Sequence, residues 1–216
     1  MKELTWRVST DASLQAVLDD PACPPLLSQV LASIHSWQIR NETTVGRTLQ
    51  ASRLMRQWVA ALVALGAVVT VERDGEAVDT ALDEFLRRWV KGTVTTLAIP
   101  HQSDGWWGEA HVARTPSDDP IVSAFAVVRA SNGVVEDARI VLTGVSADPA
   151  WLAPSPPDLL GQALDTGRIQ RAASAIENEV QPEGDYLGSE EYRRAMAGVL
   201  TRRALEACLA QEVGDE

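Results

Sequence analysis

Two strand-like runs rich in β-branched residues, IVSAFAVVRA and VVEDARIVLTGV, stand in this chain with only Ser131-Asn132-Gly133 between them. An Asn-Gly pair takes the left-handed backbone that a tight hairpin needs, so the two runs are committed to antiparallel pairing as a meander. Helices must then cover that sheet. The stretch Asp148 to Asp158 is Pro-rich and reads as loop, and three helical segments follow it: Asp158 to about Leu164, Thr166 to about Val180 and Ser189 to about Glu212. In the last, Met196, Val199, Leu200, Ala204 and Leu205 recur at helical spacing behind a Ser189 cap, which gives one apolar face.

The N-terminal half repeats the theme in another order. Thr10 to Asp19 predicts a short helix that stops before Pro21, and Pro25 to Ser36 a second with Leu26, Leu27, Val30, Leu31 and Ile34 along one stripe. A third helix is expected from about Leu49 to Leu65, ended by Gly66, with the strand AVVTVE directly behind it. Asp74-Gly75 is a hairpin signal. Ala81 to Trp89 reads as a further helix or docked turn, and Val94 to Ile99 as a strand. Pro100 to Pro120 is rich in Gly, Pro, Ser and Asp, reads as loop, and carries the expected boundary between a domain over 1–100 and another over 101–216. The predicted class is α+β, each unit an antiparallel sheet carrying helices.

Charge and motifs exclude several functions. Thirty acidic side chains against nineteen basic ones give a formal charge of -11, which repels phosphate backbones and anionic lipid, so neither nucleic acid nor a membrane surface is expected as a partner. The longest apolar stretch, Val59 to Val71, is about thirteen residues and too short for a bilayer of about 30 Å hydrocarbon thickness. MKELTWRVST has no signal-peptide apolar region, and Cys23 and Cys208 read as two buried thiols, so the expected compartment is the cytoplasm. No Cys or His falls at metal-ligand spacing. His35, His101 and His111 are scattered, Asp118-Asp119 precedes a proline, and Glu190-Glu191 opens a helix, where carboxylates favour the positive end of the dipole. No acid, base or nucleophile stands out, and no catalytic residue and no metal site are expected. Trp106-Trp107, placed in the loop region, reads as buried packing or as a partner contact.

One segment carries a chemical signal. SWQIRNETTVGRTLQ, Ser36 to Gln50, lies between two predicted helices and combines Arg40, Asn41, Thr43, Thr44 and Gly46. Such a turn can present amide N–H groups to a phosphate.

This phrase resembles the FAD-binding subunits of the xanthine dehydrogenase and carbon monoxide dehydrogenase family, in which Ser-x-Gln-Ile-Arg-Asn leads into a Gly-Thr-Ile-Gly-Gly-Asn-Leu turn. Ser36, Gln38, Ile39, Arg40 and Asn41 match, then Thr44, Val45, Gly46 and Leu49 in register. GVVEDARIVLTGVSADP, LLGQALD and SEEYRRAMAGVLTRRAL are similar to the family's C-terminal domain phrase for phrase. The resemblance implies the second lobe of a vanillyl-alcohol-oxidase-type FAD-binding domain over 1–100, then a carbon monoxide dehydrogenase flavoprotein C-terminal-like domain over 101–216. It implies FAD contacts at Ile39, Arg40, Asn41, Thr44, Val45, Gly46, Arg47 and Thr48, with electrons passing from iron-sulfur clusters through FAD to an acceptor. The flavin would do that redox chemistry.

The departures from the pattern set the functional expectation. LTWRVSTDASLQAVLDDP already matches the family's later strand and helix, so the first FAD-binding lobe is expected to be missing. Thr43 replaces the first glycine, Arg47 the second glycine of the pair and Thr48 the asparagine, although glycine lets backbone approach a diphosphate closely. The segment QASRLMRQW lacks the family's Asp, and His111 stands about where many members have Lys. The expectation is an FAD-free homologue acting as a structural or interaction subunit, either self-associating or docked on molybdopterin and iron-sulfur subunits. The alternatives are a working FAD-dependent oxidoreductase subunit whose missing lobe comes from another chain, and a scaffold reused for a different small molecule.

Overall fold

The computed structural model describes residues 5–33, 37–52, 55–88, 92–100, 105–115, 118–154 and 156–214. The chain divides into two compact units, Met1–His101 and Gln102–Glu216.

The first unit is built on β1 (Thr5–Ser9), α1 (Leu14–Leu18), α2 (Pro25–Ser33), α3 (Trp37–Glu42), α4 (Val45–Gln50), α5 (Arg56–Ala64), β2 (Val68–Arg73), β3 (Glu76–Ala81), α6 (Leu82–Arg88) and β4 (Thr93–Pro100). Its strands form one antiparallel sheet in the order β1-β4-β2-β3. The expected Asp74-Gly75 turn is present, with φ of 53° and 85°, the paired left-handed residues of a type I′ hairpin. Gly66, at φ 72°, ends α5: its amide reaches Val63 O and that of Ala67 reaches Leu62 O, both at 3.0 Å, the paired bonds of a Schellman cap. Every residue from Trp58 to Ala64 is buried, so α5 is the central helix of this unit.

The single helix expected over Leu49 to Leu65 is instead two, α4 and α5. The Trp58 indole N–H donates to Thr48 Oγ1 at 3.0 Å. Residues ten apart on a straight helix are separated by about 15 Å along its axis, so this buried contact requires the break between Gln50 and Arg56. The predicted helix Pro25 to Ser36 is helical to Ser33, and Ile34 to Ser36 lie outside the described residues.

The second unit holds β5 (Gly105–Val112), β6 (Val122–Ser131), β7 (Val134–Thr143), β8 (Trp151–Leu152), α7 (Thr166–Glu179) and α8 (Glu190–Gly214). Its antiparallel sheet runs β5-β6-β7-β8, and the turn between β6 and β7 has Asn132 at φ 52° and Gly133 at 73°. Alternate residues Val122, Ala124, Ala126 and Val128 of β6, with Ala138, Ile140 and Leu142 of β7, meet Ile169, Ala172 and Ile176 of α7 and Ala197, Leu200, Ala204, Leu205 and Cys208 of α8 in one apolar core. This is the two-layer α+β arrangement the sequence predicts.

Two expectations fail here. Trp106 and Trp107 lie on strand β5, paired residue for residue with Val128 and Val127 of β6, and not in a loop. Both indoles are half-buried, and Trp106 packs against the core just described. Gly108 admits α8 to this strand, since a Cβ there would stand 1.9 Å from Ala204 O. The helix expected from Asp158 to Leu164 is a turn as far as Gly161 and irregular chain beyond it; Gly161 adopts φ 71°, its amide donates to Val135 O and Val135 N donates to Gln162 O, each at 2.8 Å.

Candidate cofactor turn

Within the Ser36 to Gln50 phrase, expected as a turn between helices, the described residues 37–50 are themselves largely helical: α3, a two-residue link at Thr43-Thr44, and α4. Thr44 is the cap of α4, with φ -93° and ψ 158°, and its side chain accepts from the amide of Arg47. The first amides of a helix have no intrahelical carbonyl to bind, and they are the groups that hold a phosphate at a helix N-terminus. In α4 each of the first three is engaged. Val45 N donates to Ala12 O at 2.9 Å and Gly46 N to Thr10 O at 2.8 Å, while Arg47 N donates to Thr44 Oγ1 at 3.3 Å. The next amide, Thr48 N, closes the first helical bond on Thr44 O at 3.2 Å. On the other strand of the same link, Leu14 N donates to Thr43 O at 2.9 Å, and Ser13 and Thr44 form an antiparallel bridge.

The side chains divide between inside and outside. Val45 and Thr48 are fully buried; Thr48 Oγ1 donates to Val45 O at 2.6 Å and accepts from Trp58, so it serves the core of the unit. Gly46 has no left-handed φ but lies tightly against Thr10: a Cβ would stand 3.1 Å from Thr10 Cβ and 3.2 Å from Thr10 O, so Thr10 would have to give by a few tenths of an ångström to admit one. Arg47 is exposed. On α3, Ile39 is 41% and Trp37 67% exposed, Arg40 Nε donates to Gln15 Oε1 at 2.8 Å, and Asn41 Nδ2 donates to Trp37 O at 2.8 Å. Of the eight residues marked by the sequence, Ile39, Arg40 and Asn41 stand on α3, Thr44 in the link and the other four on α4; Val45 and Thr48 point into the core, and the first two amides of α4 turn toward the segment Thr10 to Ala12. Sequence reasoning missed that segment, because nothing local to the turn names the distant carbonyls its amides reach.

His111 Nδ1 lies 3.0 Å from Glu109 Oε1 on β5, and His35 and His101 lie outside the described residues. Among the described residues no group of three or more His, Cys, Asp or Glu could hold a metal ion, and no helix is long and apolar enough to cross a membrane. Cys23 and Cys208 are both buried thiols; burial pushes the Cys208 thiol up to about 12.

Residues 110–208 match the profile of the CO dehydrogenase flavoprotein C-terminal domain. The carbon monoxide dehydrogenase medium chain of Afipia carboxidovorans is 27% identical across 87% of this chain and 67% of its own length. The nicotine 6-hydroxylase medium subunit of Paenarthrobacter nicotinovorans is 27% identical across 84% of this chain and 66% of its own. The chain thus spans about two thirds of the length of these curated relatives. Among solved structures, carbon monoxide dehydrogenase from Hydrogenophaga pseudoflava superposes with a TM-score of 0.82 at 25% identity, covering 95% of this chain and 75% of that one.

Proposed function

We propose, from the premise that this chain belongs to the flavoprotein medium-subunit family of the molybdenum hydroxylases, that it acts as a structural and interaction subunit and holds no FAD. In this reading residues 1–100 descend from the second lobe of the FAD-binding domain and 101–216 are the flavoprotein C-terminal-like domain. The partners are molybdopterin and iron-sulfur subunits, or a second copy, in the cytoplasm.

The observation that carries the reading is the internal use of the α4 donors. A diphosphate at this turn would have to displace the Gly46 to Thr10 and Val45 to Ala12 bonds, each worth about 1 kcal/mol net and more if its carbonyl is then left dry. The residues present do not fit a diphosphate cradle, so no electron-transfer step is routed through this chain. Arg47, exposed at the same turn, favours the second reading, a retained nucleotide site in which a guanidinium pairs with phosphate.

A visible absorption spectrum of the purified protein, followed by an FAD titration monitored by flavin fluorescence, separates the two. The scaffold reading predicts a colourless protein and no saturable quenching at micromolar FAD. Bound-flavin bands or saturable quenching would establish the second reading in its place.

A further inference from the structure

The turn joining α7 to α8 holds an aromatic side chain out in water on a backbone that is tied in place. Tyr186 is 86% exposed. Around it, Asp185 and Gly188 exchange backbone bonds of 3.0 and 3.2 Å, and Asp185 Oδ1 accepts from the amides of Leu187 at 2.8 Å and Gly188 at 3.2 Å. Arg193 Nη2 donates to the same carboxylate at 2.7 Å, and its Nε reaches Gly188 O at 3.4 Å. The Tyr192 ring lies so close to Gly188 that a Cβ there would come within 2.9 Å of its Cδ1. On a fixed turn only the rotamers of the side chain itself, and not its backbone, remain to be ordered on association. Tyrosine is also among the residues that dominate interface energies when they enter a partner's pocket.

Charge indicates what covers it. From Gln181 to Glu191 the chain carries four carboxylates, Glu183, Asp185, Glu190 and Glu191, and no Lys, Arg or His. Asp185 is tied to the buried Arg193, and the other three are exposed. Arg194 follows beside Glu191 and offsets part of this field. A self-complementary contact between two copies at this turn would set Glu183, Glu190 and Glu191 against the same carboxylates, a juxtaposition that disfavours association. The complementary occupant is a basic surface.

We propose that the Tyr186 knob is a docking point for a pocket rimmed by Lys or Arg on another protein subunit of the same assembly, an inference that rests on the scaffold reading above. The test uses the full chain with the purified molybdopterin and iron-sulfur subunits of its own organism, by calorimetric titration at low and high salt. Wild type is compared with Tyr186→Ala and Glu183→Lys, neither of which touches the Arg193 ties, and thermal melts verify that both variants fold. Expected are affinity losses of about 10-fold or more for Tyr186→Ala and a loss for Glu183→Lys that shrinks as salt rises. A complex of unchanged affinity in both variants overturns the knob and leaves the scaffold reading standing. Self-association lost in Tyr186→Ala, with no binding of either subunit, overturns the choice of partner, and no association of any kind overturns both.

Discussion

Loss of Arg193 should damage the second unit heavily. It is 5% exposed and its guanidinium closes four bonds: to Ile121 O at 3.1 Å, Gly144 O at 2.8 Å, Gly188 O at 3.4 Å and Asp185 Oδ1 at 2.7 Å. Arg193→Ala leaves the two inner carbonyls without their donor, at about 1–3 kcal/mol each. The Asp185 side chain is 45% exposed, so water rehydrates it and its share is small. The sum is about 2–6 kcal/mol, centred on the range of about 3–5 for opening a buried ion pair from one side. With a urea slope of about 2 kcal/mol per M, the midpoint for this unit should fall by roughly 2 M, read by far-ultraviolet circular dichroism. A sign follows for pH. The hydrogen bond from Arg193 holds the Asp185 carboxyl below its ordinary 3.8, helped by the Leu187 and Gly188 amides. Its stabilisation is therefore present above the unfolded value and lost as pH falls through the folded one. Arg193→Ala should flatten that acid-side slope. A variant within about 1 kcal/mol of wild type, with the slope unchanged, would refute this account of the turn.

Thr48→Val should cost about 1–3 kcal/mol although it keeps shape and burial, because the Trp58 indole N–H loses its acceptor; Trp58→Phe in the same background should recover part of that loss in a double-mutant cycle. Gly108→Ala should cost several kcal/mol, because its Cβ would meet the Ala204 carbonyl at 1.9 Å and overpacking against backbone cannot relax cheaply; an unchanged thermal melt would show that α8 does not lie so close to β5.

How much of this was legible in the chain follows from how local each signal is. The hairpins at Asp74-Gly75 and Asn132-Gly133 are written in two adjacent residues, and the stripe of α8 and the Gly66 stop of α5 are each local to a single helix. Strand β5 is not written that way: Gly105-Trp106-Trp107-Gly108 has loop composition, and becomes strand because β6 offers a partner and α8 needs Gly108 to approach. The break between α4 and α5 likewise depends on Trp58 reaching back to Thr48. The candidate turn was found by its residue pattern, but the destination of its amides was invisible, since Thr10 and Ala12 lie far earlier in the chain. The same glycine that suggests a phosphate turn lies, at position 46, packed tightly against Thr10.

The most direct measurement is amide hydrogen exchange at Val45, Gly46 and Arg47, with and without excess FAD. If these donors are spent within the chain, they are protected in the free protein and FAD leaves their rates unchanged. Fast exchange in the free protein that slows on adding FAD would contradict the account and make this turn a working phosphate site.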